Sequence, residues 1–360
     1  MEKKRTIRAY KDGDEGEILR LLRAVYPDAS EDAIETLLRR RQWASENPAG
    51  RVDSWVTEED GRILGQYRLL WMDLKLKNHV LKAAQGMDEM THPDYRRQGI
   101  NYGLARHAVA EAGRNGVQIV FGFVEHASPA YYANLKNGWF FVGTMRQLFK
   151  PINWKNLFRS KVNNPRVATI LAVVATWLSD GMVFKTRNPS VQQGLFIEQI
   201  KSFDERISSL WARVADRYPI MVARSQRYLN WRYASSGQNY RIFIARRSDE
   251  ILGYLILRHQ TTHGIVVTYI FDILAESDEV MHSLVSRAAE DSRSVNAGMI
   301  LYPLIAHKSH CEILKRNGFL SLPFAKGRDF LIYCDPSLMS RSFAKGPQNW
   351  LIQAGDSDKY

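Results

Sequence analysis

Only two cysteines, Cys311 and Cys334, occur in the 360 residues. Two isolated thiols exclude a disulfide framework and a cysteine-based zinc site, and they fit a reducing compartment. No Walker-type loop, metal-ligand spacing or Ser-His-Asp order is present, so no metal site is expected. Long hydrophobic runs are also missing. The apolar stretch Val167–Leu178 is interrupted by Thr169 and Thr176 and closed by Asp180 and Gly181. It is too short to cross a bilayer. The opening residues "MEKKRTIRAYKDGDEGEI" have no apolar core behind their basic residues. A signal peptide is therefore not expected, and a cytoplasmic location is. Acidic residues are in deficit, 38 against 50 lysines and arginines, for a net charge of +12. Such a balance suits an anionic partner (a phosphorylated cofactor, acidic lipid or nucleic acid) or a solvated basic surface.

What is present describes a folded chain of two domains. Apolar residues make up 45% and charged residues 24%, within the globular range. Strand patterns occupy 6–10, 62–76, 79–90 and 117–123, and a helix is expected from about Gly99 to Asn115. The second half repeats this order: strand 194–200, a helical region near 204–233, a hairpin over 241–258, strand 264–274, a helix near 278–292 and further short elements. Ile63-Leu64-Gly65 echoes Ile251-Leu252-Gly253, and Leu135–Trp139 echoes Leu314–Phe319. The spacing and shared order indicate an internal duplication. The expected division is 1–150, a basic and apolar segment 151–190, 191–336, and a tail 337–360. In the middle segment Lys155, Arg159, Lys161, Arg166, Lys185 and Arg187 accompany Trp154, Phe158 and Trp177. That composition suits either contact with an anionic membrane surface or a helix packed between domains.

The stretch "THPDYRRQGINYGL", Thr91 to Leu104, joins a strand to a helix. Helix N-termini bind phosphate because their first amides lack partners and the helix dipole adds positive charge. Gly99 permits close backbone approach. The motif resembles the acyl-CoA-binding loop of the GCN5-related N-acetyltransferases (GNAT), Arg/Gln-x-x-Gly-x-Gly/Ala, with Arg96 and Gly99 in the first positions and Asn101 replacing the second small residue. "FGFVEHASPAYYANLKNGWFFVG" (121–143) is similar to the family's following strand and short helix. The resemblance implies an α/β (α+β) fold of two tandem GNAT-like domains, each a mixed, mostly antiparallel sheet flanked by helices. It implies acetyl-CoA, or another acyl-CoA, as cofactor, bound by Arg96, Arg97, Gln98, Gly99, Ile100, Asn101 and Tyr102. In the second copy Glu276, Asp278 and Glu279 stand where phosphate would go, so one cofactor site is expected.

The resemblance further implies an N-acetyltransferase, moving an acetyl group directly to a primary amine on a small molecule or peptide. A carboxylate before the loop suits the general base, and Asp88 and Glu89 are there. Strand neighbours point to opposite faces, which slightly favours Asp88. Tyr131 or Tyr132 is implied as proton donor to the leaving thiolate. Ser128 is a further candidate for that donation, and His126 is a candidate base or an exposed loop histidine. "RYLNWRY" (227–233) suits amphipathic core packing or an acceptor pocket, and Asp356 and Asp358 suit a solvated acidic end or an acceptor role. Two other classes remain. One is an aminoacyl-tRNA-dependent transferase of the related tandem fold, although nucleic acid is not the expected partner. The other is a non-catalytic, peripheral membrane protein that binds acyl-CoA.

Overall fold

The computed structural model describes residues 5–159, 194–305, 308–321 and 327–357. Most of the segment 151–190, on which the membrane expectation rests, lies outside these residues, as does Asp358. No helix among the described residues is long and apolar enough to cross a membrane.

The elements follow in chain order: β1 (Thr6–Ala9), α1 (Glu15–Val25), α2 (Glu31–Ser45), β2 (Val52–Glu59), β3 (Arg62–Leu76), β4 (His79–Thr91), α3 (Ile100–Arg114), β5 (Ile119–Glu125), α4 (Pro129–Lys136) and β6 (Phe140–Thr144). Then come β7 (Arg146–Pro151), α5 (Trp154–Arg159), β8 (Phe196–Ile200), α6 (Ile207–Val214), β9 (Ile220–Val222), α7 (Gln226–Leu229), β10 (Arg241–Arg247), β11 (Glu250–Thr262), β12 (Ile265–Ala275), α8 (Asp278–Ser294), β13 (Met299–Ile305) and α9 (Lys308–Arg316). The chain closes with β14 (Leu320–Ser321), β15 (Arg328–Cys334), α10 (Arg341–Lys345) and β16 (Trp350–Gln353). The long helical region expected near 204–233 is instead two short helices separated by β9, with one wide turn after α7.

Two compact units form. The first holds residues up to Thr144 together with 328–346, and the second holds 145–327 with 347–358. The sheet of the first unit runs β1-β2-β3-β4-β5-β15-β6, antiparallel except for β4 and β5. The second runs β8-β10-β11-β12-β13-β7-β14, again antiparallel except for its fourth and fifth strands. The two orders are the same, with one exchange. The sixth strand of the first sheet, β15, comes from near the end of the chain, and that of the second, β7, follows directly on β6.

The duplication reaches single residues. A Cβ on Gly65 of β3 would lie 2.6 Å from Ile100 and 3.2 Å from both Leu104 and the Met90 carbonyl. One on Gly253 of β11 would lie 2.8 Å from Val280, 2.9 Å from the Leu274 carbonyl and 3.0 Å from Leu284. Each glycine thus lets the helix after the fourth strand settle on the sheet. The helices bring matching stripes: Ile100, Leu104, Ala108 and Ala112 in α3, and Val280, Leu284, Ala288 in α8, all buried.

Candidate active site

β4 and β5 pair in parallel only over Ala83–Gln85 and Ile119–Phe121. Beyond that point β4 continues to Thr91 against β3, and β5 continues to Glu125 against β15. Two parallel strands that pair at one end and then follow different neighbours open a wedge at their C-terminal ends. Ligands in sheets of this kind bind at such ends.

The loop from β4 to α3 closes one side of the wedge. His92 accepts a hydrogen bond from the Asp94 amide at 3.3 Å, and one short turn, Pro93–Tyr95, follows. Arg96, Arg97, Gln98 and Gly99 are all exposed. Arg97 takes φ 62° and Gly99, the N-cap, φ 78° and ψ 3°. Only glycine adopts that conformation without cost. No side chain caps α3, so its first amides are left for another acceptor. A Cβ on Gly99 would meet nothing within 4 Å, so the space before these amides is open. An exposed, doubly cationic, uncapped helix end fits the pyrophosphate of an acyl-CoA. Ile100 is buried against β3, whereas Asn101 donates to Glu89 Oε2 at 3.4 Å. Tyr102 receives Asn137 on its carbonyl at 3.1 Å, and Lys136 stands 5.1 Å from its ring.

The two carboxylates sit on a bulge. Gln66 pairs with Met90 and Arg68 with Met87, so Asp88 and Glu89 together face Tyr67. Two residues opposite one breaks the alternation of faces on which a choice between them depends. Asp88 takes φ 50° and turns inward. It pairs with Arg40, with Arg68 Nη1 at 2.9 Å and with Arg41 Nη1 at 3.8 Å. Burial pushes the Asp88 carboxyl up, but the charges of Arg40, Arg68 and Arg41 outweigh it and hold it below the usual range. Burial and the like charge of Arg68 in turn push Arg41 down to about 10. These arginines come from α2 and β3. Glu89 is half-buried and shares its carboxylate with Asn101 at the start of α3.

Across the wedge, Ser128 caps α4 by accepting from the Tyr131 amide at 3.2 Å. Tyr131 is half-buried and Tyr132 is 59% exposed, with their rings edge to face at 5.5 Å. His126 Nδ1 lies 2.6 Å from Asp329 Oδ2, a residue of β15 that sequence spacing gives no reason to place there. Asn134 of α4 is also buried, and its side-chain carbonyl meets no partner among the described residues.

The corresponding wedge of the second unit is filled. β12 and β13 pair over Val267–Tyr269 and Met299–Leu301. Farther along the same edge of β13, β16 pairs instead, at Leu304 and Ile305. Gln353 of β16 accepts from the Ile273 amide at 2.9 Å and donates to Asp272 Oδ1 at 2.6 Å. Three residues before the partner of each strand-three glycine, Thr91 or Ala275, stand Asp88 and Asp272. Arg224 bridges Asp272 and Asp356, each at 2.8 Å. Burial drives the Asp272 carboxyl up to about 6 against the pull of Arg224. A solvated acidic end is therefore wrong for Asp356, which is 2% exposed and paired with Arg224. The segment 227–233 packs as core: Tyr228, Trp231 and Tyr233 are buried, and Arg232 donates to the carbonyls of Gly355 and Ser357 at 2.6 and 2.7 Å. The phosphate position is lost as well. Ser277 accepts from the Val280 amide at 3.3 Å, capping α8, and Asp278 and Glu279 occupy its first turn.

A wedge beside an uncapped helix end suits an extended ligand anchored by an anionic group. Residues 6–140 match the model of the acetyltransferase (GNAT) domain. This stretch is therefore a GNAT domain, and the second unit repeats its strand order. No curated protein matches it. Among solved structures, it resembles a GCN5-related N-acetyltransferase from Anabaena variabilis, at 12% identity and TM-score 0.64, covering 92% of this chain and 73% of that one. A tandem GNAT protein from the clavulanic acid biosynthesis pathway is 13% identical, at TM-score 0.53, covering 92% of this chain and 98% of that one. Saccharomyces cerevisiae N-myristoyltransferase, with bound myristoyl-CoA, is 10% identical at TM-score 0.58, covering 98% and 86%. At these identities the likeness is one of fold.

Proposed function

We propose that this chain is an N-acetyltransferase that passes an acetyl group from acetyl-CoA directly to a primary amine of a small molecule or peptide. The observation that carries the reading is the uncapped N-terminus of α3, with Arg96, Arg97 and left-handed Gly99, opening beside the β4–β5 wedge. Bound there, acetyl-CoA supplies an activated thioester. Arg96, Arg97, Gln98 and Gly99 hold its phosphates, and the start of α3 through Ile100, Asn101 and Tyr102 carries the rest of the contact. On β4 the amides of the open edge hold a carbonyl oxygen. Of the two carboxylates, Glu89 is the better proton acceptor, because three arginines keep Asp88 ionised and weakly basic. Asp88 then fixes the bulge that presents Glu89. Tyr131, half-buried in the first turn of α4, packs beside His126, whereas Tyr132 is exposed. Calorimetric titration with acetyl-CoA tests the reading. One site per chain is expected, since β16 fills the second wedge, and mass spectrometry of an amine panel then identifies acceptors. Two sites would contradict the filled wedge, and none would remove the function. The myristoyl-CoA bound by the yeast neighbour makes a longer acyl-CoA the natural competitor in the same titration.

A further inference from the structure

The wall of the wedge opposite β4 ends in a paired imidazole and carboxylate. β5 stops at Glu125, and His126 begins the turn into α4. Ala127 takes φ 55°, uncommon for a residue with a side chain. The His126 side chain is 75% exposed, yet its Nδ1 is 2.6 Å from an Asp329 oxygen whose carboxylate is fully buried. The other Asp329 oxygen accepts from Thr144 Oγ1 at 2.7 Å. Tyr131 packs on the imidazole at 5.5 Å. The nearby charges on the same strands, Glu125 and Arg328, pair with each other at 3.5 Å. A buried carboxylate is costly unless its partners hold it. Here one oxygen is committed to a threonine and the other grips a surface ring by Nδ1. That arrangement fixes the orientation of the ring and turns Nε2 away from the protein.

We propose that His126 donates the proton that converts the departing coenzyme A thiolate to a thiol, with Asp329 as its positioning residue; this rests on the acyl-CoA reading above. The amine nitrogen bonds to the acyl carbon, the carbon–sulfur bond breaks, and the electron pair stays on sulfur. Nε2–H then gives its proton to sulfur. The amine's proton leaves on the β4 side to solvent, and solvent reprotonates the ring. The chemistry favours imidazole over the neighbouring phenol. An imidazolium, at about 6.5, is a stronger acid than a thiol at about 8.5, whereas a phenol at about 10 is weaker. Proton NMR of the intact chain tests this, with His126→Gln assigning the resonance. The probes are coenzyme A and desulfo-coenzyme A, with binding of each measured calorimetrically. The His126 side-chain resonances should differ between the coenzyme A and the desulfo-coenzyme A complexes, because only the former places a sulfur beside the ring. Identical His126 resonances with both probes bound would overturn the proposal and leave the cofactor reading intact. Failure of coenzyme A to bind would remove that reading and the proposal with it. Asp329→Asn should alter the nitrogen-15 tautomer pattern of His126, and an unchanged pattern would refute the positioning role.

Discussion

Replacing Gly99 separates a backbone effect from a ligand effect. The residue sits at φ 78° and ψ 3°, and a Cβ there would touch nothing within 4 Å. No clash therefore opposes a side chain in the free protein. What opposes valine is the conformation, which costs a residue with a Cβ about 1–2 kcal/mol. Asparagine adopts it more readily. Both side chains, however, project into the open space before the uncapped amides of α3. If phosphate oxygens occupy that space, each hydrogen bond to a charged group is worth about 1.5–3 kcal/mol. Losing one or two would cost about 3 kcal/mol, roughly two orders of magnitude in Kd. Urea unfolding and calorimetry with acetyl-CoA read the two effects apart. Gly99→Val should lose both stability and affinity. Gly99→Asn should lose affinity with little change in stability. Wild-type affinity in both variants would refute the phosphate role of the loop.

Four further outcomes follow from other parts of the molecule. Asp88→Asn should destabilise the first unit, by up to the roughly 3–5 kcal/mol seen when one partner of a buried pair is removed. Glu89→Gln should leave the melting temperature intact and lower turnover by about 10²–10⁴-fold; full activity in Glu89→Gln would exclude it as the base. A fragment of residues 1–151 should fail to fold on its own, because the seven residues of β15 that pair with β5 are missing; a cooperative unfolding transition in that fragment would show the exchanged strand to be dispensable. Asp272 is held at about 6 in the folded state against an ordinary 3.8. Its contribution is thus present below about pH 4 and lost as pH rises through about 6. The stability of the wild type relative to Asp272→Asn should fall across that interval, and a constant difference would contradict the burial argument.

Local pattern made part of this legible. β3 is bounded by a Gly61 turn and Lys77, both at positive φ, and its reading as 62–76 is the observed strand. The loop and α3 announce themselves through proline, glycine and an apolar stripe. What escaped depends on distant partners. α2 buries only Ile34 and Ala44, so it shows no stripe, yet it supplies Arg40 and Arg41 to Asp88. The bulge at Asp88 cannot be seen in a sequence that alternates through it. Asp329 reaches His126 across 203 residues, because β15 joins a sheet whose other strands lie in the first half. Nothing local to "RDFLIYC" names that sheet.

The two units also show why one frame keeps a site and the other does not. A wedge between parallel strands exposes backbone amides that need an acceptor. In the second unit the Ile273 amide has one within the chain, Gln353 Oε1, carried in on β16. Asp272 is satisfied by the same glutamine and by Arg224, Tyr233 and Tyr254. The corresponding residues of the first unit are Glu89 and Asp88. There Asp88 turns to arginines behind the bulge, while Glu89 stands at the edge of the wedge beside Asn101. Capping of α8 by Ser277 removes an anion site, and β16 removes the room for what an anion would carry. These two changes lie on different elements, yet they close off opposite ends of one extended ligand. A single ligand, anchored by phosphate at the helix and by a carbonyl oxygen at the strand edge, accounts for both being altered together. That concordance fits the acyl-CoA proposed for the first wedge.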